Sequence, residues 1–126
     1  MADTNKKTLL VVDDEPIIQK FVTRILTDEG YNIESANDGA EALFLLGGKH
    51  FDLVLLDTNM PTMNGFQLLK TMKQNNIVIP VIVLSGDEQE ELEKKGLSLE
   101  PGTLEYLSKP IQPSLLLPKI KKLLET

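Results

Sequence analysis

Three carboxylates, a hydroxyl and an ammonium sit where short apolar runs end. Asp13 and Asp14 follow Leu9-Leu10-Val11-Val12, and Asp57 follows Phe51-Asp52-Leu53-Val54-Leu55-Leu56. Ser85 follows Val81-Ile82-Val83-Leu84, and Lys109 comes just after Leu104-Glu105-Tyr106-Leu107. Carboxylates gathered in one crevice repel one another and resist ionisation unless a cation lies among them. A few hard oxygen ligands suit Mg²⁺, which keeps several waters and also takes phosphate oxygens. A carboxylate is in addition a competent nucleophile towards phosphorus. An ammonium and a hydroxyl around a transferring phosphoryl group supply the charge stabilisation and hydrogen bonding that such a step needs. Lys109 and Ser85 are the candidates for these roles.

Chemistry of this kind requires elements that bring distant residues together. The apolar runs are short and rich in branched residues, as expected of strands buried on both faces of a parallel sheet. Tyr31 to Ala36 alternates more weakly and suits a strand nearer an edge, and Leu104 to Leu107 makes a fifth strand. Between them lie helical patterns. Ile17, Ile18, Phe21, Val22, Ile25 and Leu26 recur at three- and four-residue spacing after Pro16, and Gly30 ends the run. Asp38 can cap a second helix carrying Ala42, Leu43 and Leu46 and stopped by Gly47-Gly48. Phe66, Leu69 and Met72 mark a third. The fourth, around Asp87 to Lys95, has Leu92 as its only large apolar residue. The fifth holds Leu116, Leu117, Ile120, Leu123 and Leu124, with Pro118 inside it, so it is expected to start late or bend. Five alternations of strand and helix predict an α/β fold, a doubly wound parallel sheet with right-handed crossovers. Function in such sheets collects at the carboxyl ends of the strands.

Bulk properties agree. A length of 126 residues suits one domain, read as a polar tail over 1–7 and a folded unit over 8–126. A net charge of −6 disfavours direct binding to nucleic acid or to an anionic membrane. The absence of cysteine excludes disulfide and thiolate chemistry and fits a reducing compartment. No apolar run is long enough for a signal peptide or membrane insertion, so the chain is expected to be soluble and cytoplasmic.

Each motif also has a plain structural reading. Asp13-Asp14 before Pro16 could cap a helix. Asp57, the stretch Thr58 to Gly65 and Ser85-Gly86-Asp87 could be turns, and Lys109 could be a solvated lysine. Their coincidence at four strand ends favours a common site. His50, the single histidine, is read as a surface residue and Tyr106 as a half-buried strand residue. Met60 and Met63 are read as packing residues.

From Leu9 to Leu124 the chain resembles the receiver domain of bacterial two-component response regulators, including the stand-alone chemotaxis type. The resemblance is carried by Val11-Val12-Asp13-Asp14-Glu15-Pro16, by Leu55-Leu56-Asp57-Thr58-Asn59-Met60-Pro61 with Met63-Asn64-Gly65, by Ser85, and by Leu107-Ser108-Lys109-Pro110. It implies a flavodoxin-like (βα)5 fold with strand order 2-1-3-4-5. It implies that Asp57 accepts phosphate from a histidine kinase or a histidine phosphotransfer protein. Asp13, Asp14, Asp57 and the main-chain carbonyl of Asn59 would hold Mg²⁺. Ser85 and Tyr106 would form a switch pair, Lys109 would pair with the phosphoryl oxygens, and the Lys109-Pro110 bond would be cis, a form affordable before proline.

The implied function is a phosphorylation-dependent signalling switch that controls a downstream protein effector through the face of helix four, strand five and helix five. It is a phosphoacceptor that assists its own phosphorylation and dephosphorylation, not an enzyme. A phosphohydrolase using the same chemistry would need a second carboxylate two residues after the nucleophile, where this chain has Asn59. A pseudo-receiver would have lost an acidic position or the lysine, and all are present. The departures lie in Gly86 to Leu104, where Glu100-Pro101-Gly102-Thr103 replaces the usual small-residue turn and lengthens the path from Ser85 to Lys109. Stand-alone action, a relay and a place in a longer regulator all remain open readings of the output.

Overall fold

Strand and helix alternate along the whole chain in the computed structural model, which describes residues 6–57, 65–94 and 104–125. The elements are β1 (Thr8–Val12), α1 (Pro16–Asp28), β2 (Asn32–Ala36), α2 (Gly39–Gly48), β3 (Leu53–Asp57), α3 (Gly65–Gln74), β4 (Val81–Ser85), α4 (Gln89–Lys94), β5 (Leu104–Ser108) and α5 (Pro113–Leu124). All strand pairs are parallel and the order is β2-β1-β3-β4-β5. The order reverses between β1 and β3, which opens the crevice at their carboxyl ends.

Period-two alternation divides the core between the two faces. Leu9, Val11, Leu53, Leu55, Ile82, Leu84 and Leu107 pack with Val22 and Leu26 of α1 and Leu116, Ile120 and Leu123 of α5. Leu10, Val12, Val54, Leu56, Val81 and Val83 pack with Ala42 and Leu46 of α2, Leu68 and Met72 of α3, and Leu92 of α4. The central strands β3 and β4 are buried along their full length, which is why their sequences read as unbroken apolar runs. Each such side chain contributes about 1.5–3 kcal/mol relative to exposure.

Local signals set the helix ends. Pro16 opens α1, and Gly30 follows its end at φ 96°, in the left-handed region that favours glycine. The Asp38 side chain accepts the Glu41 N–H at 2.8 Å and caps α2, whose last helical residues are Gly47 and Gly48. Two expectations change in detail. The apolar stripe of α1 is narrower than the spacing suggested, because Ile17 and Phe21 are exposed while Val22 and Leu26 are buried. Helix α4 is described over Gln89–Lys94, and the end of the expected stretch, Lys95, lies outside the described residues. Helix α5 does not start late: it begins at Pro113 and continues through Pro118. The carbonyl that Pro118 cannot bond belongs to Ser114, and both residues are exposed, so water can satisfy it.

Candidate functional site

The register explains how the candidate residues meet. Val12 of β1 lies beside Leu56 of β3, so Asp13 and Asp57 come level at the crevice. Asp57 shares strand parity with Leu53 and Leu55, and Asp13 with Leu9 and Val11, so both belong to the face covered by α1 and α5. Lys109 shares the parity of Leu107 on the same face. Ser85 and Tyr106 follow the opposite parity, that of Val83 and the α2-α3-α4 face.

Asp13 and Asp57 are almost fully buried, at 1% and 2% exposure, although both are carboxylates. Carboxylate oxygens of Asp13, Asp14, Glu15 and Asp57 lie within 4.8 Å of one another. The Lys109 ammonium reaches Asp57 Oδ1 at 3.3 Å, and stands 3.9 Å from both Asp13 Oδ2 and Glu15 Oε1. One ammonium against four carboxylates leaves the crevice strongly negative. Asp13 carries the consequence. Burial lifts its carboxyl to about 6 from an ordinary 3.8; the Glu15 N–H bonded to Oδ1 at 2.9 Å opposes the rise, Asp57 adds to it, and Lys109 moderates it.

Asp13 Oδ2 is fully buried with no hydrogen-bond partner among the described residues. An unsatisfied buried anion is costly and calls for a ligand. The hard oxygens and the acidic excess fit a hard divalent cation.

At the next strand end, Ser85 Oγ accepts the Asp87 N–H at 3.0 Å, and the Ser85 carbonyl accepts the Lys109 N–H at 2.7 Å. The Tyr106 hydroxyl donates to the Asp87 carbonyl at 2.6 Å, which ties β5 to the turn after β4. The Lys109-Pro110 bond is cis. His50 is a surface residue paired with Asp52 at 3.0 Å. Asn59 lies outside the described residues, as do Thr58 to Asn64 and Glu100 to Thr103.

The structure thus brings Asp13, Asp14, Asp57 and Lys109 together, and bonds Ser85 at the end of β4 and Tyr106 within β5 to Asp87 in the turn after β4. Glu15 has no role in the reading of the sequence beyond its place in the motif, yet its carboxylate joins both the acidic cluster and the ion pair with Lys109. Its position next to the acid pair was the signal. No helix among the described residues is long and apolar enough to cross a membrane.

The chain is similar in sequence and fold to known proteins. The sensor histidine kinase RcsC of Escherichia coli (strain K12) is 38% identical over 111 residues, which is 88% of this chain and 12% of that protein. The chain therefore spans a small part of that relative. Among solved structures, the Vibrio cholerae chemotaxis protein CheY4 superimposes with a TM-score of 0.82 at 32% identity, covering 94% of this chain and 98% of that one. The response regulator TrrA from Thermotoga maritima, solved in complex with Mg(2+)-BeF, gives 0.79 at 32% identity, covering 93% and 98%. The family model for the response regulator receiver domain matches residues 9–121. With its strand order, its crevice and these relatives in agreement, the chain belongs to the response regulator receiver domain family of two-component signalling.

Proposed function

We propose that the domain is a phosphorylation switch whose acceptor is Asp57. The observation that carries this reading is a buried Asp57 carboxylate held beside the Lys109 ammonium and the under-satisfied Asp13. Asp57 attacks the phosphorus of a partner's phosphohistidine. The new O–P bond forms as the P–N bond breaks, and the electron pair returns to the imidazole. Lys109 balances charge on the phosphoryl oxygens and Ser85 offers its hydroxyl to one of them. Asp13, Asp14, Asp57 and the Asn59 carbonyl are the groups that would hold Mg²⁺, which when bound supplies charge neutralisation at the crevice.

Phosphorylation adds nearly two negative charges beside Lys109. Recruitment of Ser85 to the phosphoryl group releases its contact with the Asp87 N–H, and Tyr106, bonded to the same turn, responds. The face of α4, β5 and α5 then changes its affinity for a downstream protein effector. The donor is a histidine kinase or a histidine phosphotransfer protein in the cytoplasm, and neither nucleic acid nor membrane is a direct partner. The domain assists its own phosphorylation and dephosphorylation without turning over a separate substrate.

The test is intact-protein mass after incubation with Mg²⁺ and acetyl phosphate, beside Asp57→Ala. A single phosphoryl-sized gain that needs Mg²⁺ and vanishes in Asp57→Ala is expected. No gain, together with no Mg²⁺ binding, would overturn the reading.

A further inference from the structure

We propose that Gln19 is a positioning residue for the acid pair: its side-chain amide ties the main chain at Asp13 to the end of β2 and so aims the Asp13 and Asp14 carboxylates into the crevice. The proposal rests on the reading that the crevice takes Mg²⁺.

The strand ladder stops at Val12 and Ala36, one residue short of Asp13. Beyond it, the Asp13 N–H still reaches the Ala36 carbonyl at 3.1 Å. The carbonyl of Asp13 has left the sheet, and Gln19 supplies its partner. Gln19 Nε2 donates to the Asp13 carbonyl and to the Ala36 carbonyl, the latter at 2.9 Å, and lies 3.1 Å from Asn37 Oδ1. Three oxygens around one nitrogen fix the orientation of the amide, since a flipped side chain would set oxygen against oxygen. The Gln19 N–H itself bonds the Glu15 carbonyl at 3.0 Å, and the Glu15 N–H bonds Asp13 Oδ1. Both ends of the Asp13–Glu15 segment are therefore held by the first turns of α1.

Gln19 touches neither the ammonium nor a carboxylate of the cluster, so it acts through the backbone. A glutamine on an amphipathic helix needs no partner but water, and here it is half-buried and turned back over the helix start. Groups of this kind, one layer behind the ligands, typically change metal affinity about 10–100-fold when removed.

The experiment titrates Mg²⁺ into the full chain by calorimetry for wild type and Gln19→Met, which keeps length and removes the donors, and measures amide exchange at Asp13 without metal. Mg²⁺ affinity is expected to fall about tenfold with faster Asp13 exchange. A Gln19→Met protein that binds Mg²⁺ as tightly as wild type overturns the proposal and leaves the crevice reading intact. A wild type that takes no Mg²⁺ overturns the crevice reading and the proposal with it. If Gln19→Met does not fold, Gln19→Glu decides: faster Asp13 exchange supports the proposal, and unchanged exchange overturns it.

Discussion

Lys109 Nζ lies 3.3 Å from Asp57 Oδ1, although the two residues are 52 positions apart. The ammonium is one cation among the four carboxylates of Asp13, Asp14, Glu15 and Asp57. Removing it in Lys109→Gln is expected to act in two directions. Phosphoryl uptake from acetyl phosphate falls by on the order of 10²-fold, since a donor aimed at developing charge is lost. Mg²⁺ binds more tightly, since a competing cation is gone. Mass spectrometry reads the first and calorimetry the second; uptake equal to wild type would remove Lys109 from the proposed role.

Asp13 makes stability depend on pH in an unusual direction for an aspartate. Its folded value of about 6 lies above its ordinary 3.8, so the native state binds the proton more tightly than the unfolded chain. This contribution is complete below about pH 3.8 and is lost as pH rises through about 6. Without metal, Asp13→Asn is expected to be more stable than wild type at pH 7 by about 1–3 kcal/mol, with the gap closing towards pH 4. Urea unfolding at the two pH values measures it. A constant gap would assign the effect to something other than ionisation.

Tyr106→Phe removes the hydrogen bond to the Asp87 carbonyl. The expected cost is about 0.5–1.5 kcal/mol, with faster amide exchange in the turn after β4. Burial, with Glu88 and Asp87 nearby, pushes the Tyr106 phenol up from its ordinary 10, and burial with Glu29 and Glu125 does the same to Tyr31. The protonated phenol is the donor, so the bond persists below pH 10 and is lost as pH climbs through the raised value. Ultraviolet titration should find no tyrosine ionising at the ordinary value until urea unfolds the chain.

Leu92 is the single buried residue among the described residues of α4, which are otherwise polar and charged. Leu92→Ala is expected to cost about 2–5 kcal/mol if the whole domain feels it. A short helix held by one anchor can instead open locally. Hydrogen exchange distinguishes the two: protection lost over Gln89–Lys94 while Val81–Ser85 stays protected identifies local release.

Sequence reading succeeds here where one physical signal dominates. The strands β1, β3 and β4 are buried on both faces and announce themselves as apolar runs, and the residues that end them form the candidate site. The strands β2 and β5 at the sheet edges are only partly buried and give weaker patterns. The six apolar residues of α1 span more of the helix surface than the sheet covers, so periodicity could not say that Ile17 and Phe21 would face outward. Of the late start or bend that the proline rule expects at Pro118, the late start does not occur, because the orphaned Ser114 carbonyl can meet water. The pairing of Glu15 with Lys109 and the clamp by Gln19 depend on side-chain reach across a turn, which spacing along the chain does not encode.

The parallel order has a consequence for synthesis. Asp57 belongs to the middle of the sheet, but Lys109 follows β5, which is synthesised after the other four strands of the sheet. A nascent chain that ends after β3 therefore carries Asp13, Asp14 and Asp57 without the Lys109 ammonium. The charge balance of the crevice is complete only after β5 has docked.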